Sequence, residues 1–198
     1  TVIYSDRRFT YQEAQDVIET GRGDLFDEIL LLNDLAQKLR AERFRNGSIN
    51  FERDEAKFEL DENGKPLRVY FKEIKESNQL IEEFMLLANR KVAEFVGRKR
   101  KGVQNSDRTF VYRIHDKPNT DKMAQFRSFV TRFGYQMKAQ GNKAVAKEIN
   151  RLMKKIHGRK EENIISTLAI RSMAKATYST DNIGHYGLAF DYYTHFTS

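Results

Sequence analysis

Cysteine is absent from the 198-residue chain, which excludes disulfides and thiolate-bound metals. No apolar run approaches the roughly 20 residues needed to span a bilayer as a helix. Familiar catalytic spacings are missing too: there is no HExxH, no GxSxG and no GxxxxGK[ST]. The four histidines, His115, His157, His185 and His195, show no metal-ligand spacing. Adjacent acids occur at Glu82-Glu83 and Glu161-Glu162. On a helix, neighbours point about 100° apart and cannot converge on one ion. Spacing alone therefore yields no complete active site.

Negative charge is the minority sign. Against 28 acidic residues stand 35 basic ones, a formal charge of +7, with a pI near 9.5. That balance fits a polyanionic partner, although charge alone fits a solvated basic surface equally well. The largest basic block, RKRK at 98–101, suits a solvated helix end lying against the negative end of the dipole. With 39% hydrophobic and 32% charged residues, the chain is expected to be soluble and globular. The lack of cysteine fits a reducing compartment, and the expected location is the cytoplasm.

Periodicity predicts an α+β fold, richer in helix than strand, with several long helices packed on antiparallel strands. A helix capped by Asp24 carries Leu25, Phe26, Ile29, Leu32, Leu35 and Leu39 at spacings of three and four and runs to about Arg45. Residues 48–75 read as β-structure across the turn DENGKP. A second long helix runs from Ser77 or Asn78 to about Val96, with a stripe of Leu80, Ile81, Phe84, Met85, Ala88, Val92 and Phe95, and Gly97 ends it. TFVYRIHD, 109–116, reads as a short buried strand. A helix capped by Asn119 or Thr120 and closed by Gly134 follows, then two more helices separated by Gly158. The last stretch, YGLAFDYYTHF, alternates like a strand. Without an internal repeat or a low-complexity linker, 1–198 reads as one continuous domain fragment.

Both ends look like interiors. LAFDYYTHFTS is aromatic with no polar tail, and the first residues begin inside a β-branched run. Termini are ordinarily polar and frayed, so the expectation is an internal piece of a longer chain.

Three stretches mix polar groups with aromatics: YSDRRFTYQEA at 4–14, IEEFMLLAN at 81–89 and HYGLAFDYYTHFTS at 185–198. Aromatic faces can stack on bases and arginines can meet phosphates, while core packing accounts for any one stretch taken alone. Together, and in this order, they resemble motifs of the ribonuclease II / ribonuclease R family catalytic domain, closest to its ribonuclease R branch. The first resembles YS-x-x-R-x-TY-x-x-A, the second E-E-x-M-x-x-AN, and the third, from Gly184, G-H-x-GLA-x-x-x-Y-x-HFTS. GSINFERDEAKFELDENGKP, 47–66, is similar to the family's GAIDF-x-x-x-E-x-KF-x-LDE-x-GKP segment.

The resemblance implies processive 3′-to-5′ hydrolysis of single-stranded RNA ends to nucleoside 5′-monophosphates, with Mg²⁺ as cofactor. It also implies that the metal-binding aspartates and the catalytic arginine lie outside this stretch, so no metal ligand is assigned within it. RNA is the implied partner. Tyr11 and Glu83 are the implied readers of the ribose 2′-hydroxyl, with Glu82 as alternative to Glu83. Phe51 is the implied clamp on the 3′-terminal base, with Phe58 as alternative, and Arg8 is an implied RNA contact. Tyr193 and His195 are implied supports of catalysis. A degenerate homologue that binds RNA without cutting it is the competing expectation.

Overall fold

The computed structural model describes residues 2–50, 55–98 and 109–197. Phe51 lies outside them, as does 99–101 of the RKRK block. The elements in chain order are α1 (Tyr11–Thr20), α2 (Phe26–Asn46), β1 (Glu55–Leu60), β2 (Pro66–Lys72), α3 (Glu76–Gly97), β3 (Tyr112–Ile114), α4 (Thr120–Thr131), α5 (Asn142–Ile156), α6 (Glu162–Ser172) and β4 (Thr177–Ser179), with a 3₁₀ turn at Tyr186–Leu188. Helix predominates, and the described strands form two small antiparallel sheets, so the α+β expectation holds. By proximity the chain divides into two compact units, 1–40 with 52–84, and 41–51 with 85–198.

In the first unit, α1 starts in a capping box. The Thr10 hydroxyl accepts from the Glu13 amide, and the Glu13 carboxylate accepts from the Thr10 amide. Gln15, buried on α1, ties this helix to the start of α3: its carbonyl accepts from the Ser77 amide at 3.0 Å and its amide donates to Glu76 at 2.8 Å. β1 and β2 form a hairpin pairing Phe58 with Val69 and Lys57 with Tyr70. Its turn is held by the Asp61 carboxylate, which accepts from the Asn63 and Lys65 amides.

The second unit holds the described hydrophobic core. Met123, Phe126 and Val130 of α4, Val145, Ala146, Ile149, Leu152 and Ile156 of α5, and Ile165 and Ala169 of α6 interlock there. The spacings of three and four put each set on one helical face. Asn119 caps α4 as expected, accepting from the Asp121 and Lys122 amides. β3 pairs antiparallel with β4, Arg113 opposite Tyr178.

Several expectations are corrected. α2 starts at Phe26, so the capping position expected for Asp24 falls to Leu25, which takes a left-handed φ of 52°, while Asp24 pairs with Arg7 at 3.4 Å. The inward faces of α2 and α3 are not the apolar stripes expected. α3 buries Glu83, Leu86, Asn89, Ala93 and Glu94, while Ile81, Val92 and Phe95 (65% exposed) face outward. α2 buries Ile29, Ala36 and Arg43, and leaves Leu31, Leu32 and Leu35 exposed. Polar groups take the inward positions because partners await them, as described below. Residues 48–50 form no strand, and the terminal alternation belongs to a loop with the 3₁₀ turn and Ala189 at φ 55°. Of 109–116, the strand keeps Tyr112–Ile114, of which Tyr112 alone is buried.

Candidate functional site

Three of the four motif segments meet in the second unit through hydrogen bonds between residues far apart in sequence. The Gly187 carbonyl accepts from the Ser48 hydroxyl at 3.1 Å and from the Ile49 amide at 2.8 Å. Ser48 in turn accepts from the Arg43 guanidinium at 2.9 Å. Asn150 grips the same segment from the other side, its carbonyl accepting from the Asn50 amide at 2.8 Å and its amide donating to the Ser48 carbonyl at 2.7 Å. In effect Asn150 replaces the strand partner that 48–50 lacks.

The terminal motif lies along the exit of β3. The His115 amide donates to the Gly184 carbonyl, the Tyr186 amide to the His115 carbonyl, and the Arg113 amide to the Tyr193 carbonyl. His115 Nδ1 accepts from the Gly187 amide at 3.0 Å and Nε2 lies 2.9 Å from the Ala174 carbonyl. A carbonyl can only accept, so the proton sits on Nε2 and the ring is neutral. A Cβ on Gly187 would approach His115 Nδ1 to 2.8 Å, so this contact requires glycine. His185 packs 5.0 Å from the His115 ring and 5.1 Å from the Tyr193 ring. Burial pushes the His115 imidazole below its ordinary value. Burial and the neighbouring His115 push His185 down to about 3. Both are uncharged braces at neutral pH.

The expected support pair is brought together: the Tyr193 hydroxyl lies 3.0 Å from His195 Nδ1, with Tyr193 buried and His195 exposed. Asn89, of the IEEFMLLAN motif, is fully buried. Its amide donates to the Thr197 hydroxyl at 2.9 Å and its carbonyl accepts from the Phe196 amide at 3.2 Å. A cleft of about 480 Å³ opens beside this assembly, its lining including Lys117, Lys143, Asp116, Asp191 and Tyr186.

In the first unit, Tyr11 opens α1 and is 49% exposed, and Arg8 is exposed just before it. Glu83 is 3% exposed and ion-paired to Arg40 at 3.5 Å, whereas Glu82 is part-exposed. Phe58 stands 59% exposed on β1. Among the described residues, no group of three or more histidines and acids could hold a metal ion, and no helix is long and apolar enough to cross a membrane. Sequence reasoning passed over Ser48, His115 and Asn150. His115 sat inside a stretch read as a plain strand, and Asn150 inside an amphipathic helix where nothing local signals a tertiary clamp.

The family model described as RNB domain matches residues 1–198. Ribonuclease R 1 of Lactococcus lactis is 34% identical over 204 residues, and ribonuclease R of Escherichia coli K12 is 32% identical. In both, the whole chain is covered but only 24% of the relative's length. Mycoplasma genitalium RNase R, solved with ribose-methylated single-stranded RNA, superposes with a TM-score of 0.80 over 96% of this chain and 30% of its own, at 24% identity. Yeast Ssd1, a pseudonuclease, shares the fold with a TM-score of 0.59 over 96% of this chain and 23% of its own, at 19% identity.

Proposed function

This chain belongs to the RNB-domain family, and from that premise we propose that residues 1–198 are an internal part of one catalytic domain of a 3′-to-5′ exoribonuclease. The whole enzyme, placed in the cytoplasm, hydrolyses single-stranded RNA from its 3′ end to nucleoside 5′-monophosphates. The observation that supports the reading is that three motifs, in the family's order, meet in the second unit: Ser48 and Ile49 bond to Gly187, and Asn89 bonds to Phe196 and Thr197.

In this reading the chain recognises RNA and orients the strand. Tyr11 presents a phenol that can exchange a hydrogen bond with a ribose hydroxyl, and Arg8 an exposed guanidinium for a phosphate. Glu83, or Glu82, accepts a hydrogen bond from the 2′-hydroxyl. Phe51, or Phe58, stacks on the 3′-terminal base. Tyr193 and His195 support the reacting end. Mg²⁺ is the cofactor of the whole enzyme, where it would activate water and steady the leaving oxygen. The described residues do not fit it, since no convergent ligand set exists among them. Its aspartate ligands and the catalytic arginine are assigned outside 1–198.

The test is product analysis with the full-length protein and a 3′-tailed RNA carrying a 5′ label. Stepwise shortening from the 3′ end with release of 5′-monophosphates is the expected result. The second reading, an RNA-binding homologue without catalysis, draws on the fold shared with the pseudonuclease Ssd1. Tight RNA binding without any shortening would favour it.

A further inference from the structure

Asn89 presents a cost that needs a reason. Burying a side-chain amide completely is unfavourable unless both of its ends are satisfied, and an apolar residue at this place on α3 would pack without that penalty. Both ends are satisfied here, and both by the same short segment: the Phe196 amide and the Thr197 hydroxyl. Two residues earlier that segment is anchored a second time. The Thr194 hydroxyl donates to the Val111 carbonyl at 2.9 Å, and the Arg113 amide donates to the Tyr193 carbonyl at 2.9 Å. Between the two anchors stands His195, exposed, with Nδ1 held 3.0 Å from the buried Tyr193 hydroxyl.

We propose that Asn89 is a positioning residue: by clamping Phe196 and Thr197 to α3, it fixes the backbone that presents the His195 imidazole to the reacting end of the RNA. The inference rests on the exoribonuclease reading and deepens it. Asn89 touches no substrate itself. Its effect is to hold a supporting side chain within the narrow tolerance that catalysis demands, where an error of about 1 Å can cost a hundredfold in rate. Substrate binding depends on other groups, Tyr11 and Arg8 among them, so the loss falls on the chemical step.

The experiment uses the full-length enzyme under single-turnover conditions at saturating RNA, with RNA affinity measured separately. Asn89→Ala is expected to slow cleavage about 10- to 100-fold while RNA affinity stays within about threefold. Thr197→Val removes the hydroxyl that receives the Asn89 amide and is expected to slow cleavage about tenfold. Thr197→Ser restores the hydroxyl and recovers the rate to within about threefold of wild type. The double variant Asn89→Ala/Thr197→Val should be no slower than Asn89→Ala, because one clamp is removed twice. A merely structural Asn89 would lower melting temperature without this shared, rate-specific loss. Cleavage rates within twofold of wild type, or losses that multiply in the double variant, would overturn the proposal. If Asn89→Ala fails to fold, the Thr197 pair decides alone, with equal rates for Val and Ser counting against it. An inactive wild type overturns the exoribonuclease reading and this inference together, whereas an active wild type with unaffected variants overturns only the inference.

Discussion

Three side chains of the second unit, the half-buried His115 and His185 and the fully buried Asn89, are polar groups held by the partners they were folded against. For the two histidines this has a consequence in pH. Each has its folded value pushed below 6.5, His185 to about 3, while the unfolded chain titrates near 6.5. Below that value the unfolded chain binds protons that the folded chain refuses. Stability is therefore fully present above about pH 6.5 and is lost as pH falls from there toward about 3. The slope approaches roughly 1.4 kcal/mol per pH unit for each proton taken up. Denaturant midpoints measured between pH 5.5 and 8 should fall on acidification in the wild type and fall less in His185→Phe. Identical profiles would mean His185 does not bear this burden. Glu83 poses a second residue-scale question, because it is buried against Arg40 and is also proposed to read a 2′-hydroxyl. Glu83→Ala should lower stability, by up to about 3 kcal/mol, because it removes one member of a buried ion pair. Alone and combined with Tyr11→Phe, it should also cut kcat/KM about ten- to a hundredfold on RNA, but not on a matched DNA strand, which has no 2′-hydroxyl to lose. Equal slowing of both strands would reduce Glu83 to a helix-positioning ion pair.

Elements were legible where a local rule had one answer. Asn119 before a three-and-four apolar repeat specified the start of α4, and DENGKP specified the hairpin turn. α1 was not legible, since YQEAQDVIET buries just Gln15 and Val17 and shows no apolar stripe. Nor was β4, three residues defined wholly by pairing with β3. The faces of α2 and α3 were misjudged for a further reason. Periodicity registers which residues prefer to leave water, and cannot register that Glu83 and Asn89 will find partners inside. The site was legible as four ordered motifs but not as contacts, because Asn150 and His115 act across more than 70 positions. Asn150 offers a test at this scale. It stands in for a strand neighbour of 48–50, so Asn150→Ala should remove two hydrogen bonds, about 1 kcal/mol each. Amide exchange at Asn50 should accelerate in the folded protein while the α4–α6 core keeps its protection. Unchanged exchange at Asn50 would show that the Ser48 and Ile49 contacts to Gly187 suffice.

Across the whole molecule, several of the described acids are already engaged in internal hydrogen bonds or ion pairs. Glu13 closes the capping box of α1. Glu76 is held below its ordinary range by the amide at its own helix start and by Gln15. Burial works against an ionised Glu94, yet hydrogen bonds from Arg90 and Lys91 outweigh it and keep that carboxylate charged. Glu148 accepts from the Lys138 and Ala139 amides, and Glu161 from the Tyr135 hydroxyl. A carboxylate satisfied in this way has little to offer a divalent cation, which takes six or more oxygen ligands and tolerates few gaps. With a formal charge of +7, the chain is suited to holding a polyanion and ill-suited to concentrating cations. The expected division of labour is that residues 1–198 contribute grip and orientation while hydrolysis needs the rest of the enzyme. Purified as a piece, 1–198 should release no nucleoside monophosphate from labelled RNA at millimolar Mg²⁺ or Mn²⁺, while the full-length protein does. Any RNA binding by the piece should weaken steeply with salt, as contacts to phosphates do. Metal-dependent release that persists in the piece, and disappears in a piece carrying Glu83→Ala and Glu82→Ala together, would locate chemistry here after all and overturn the division.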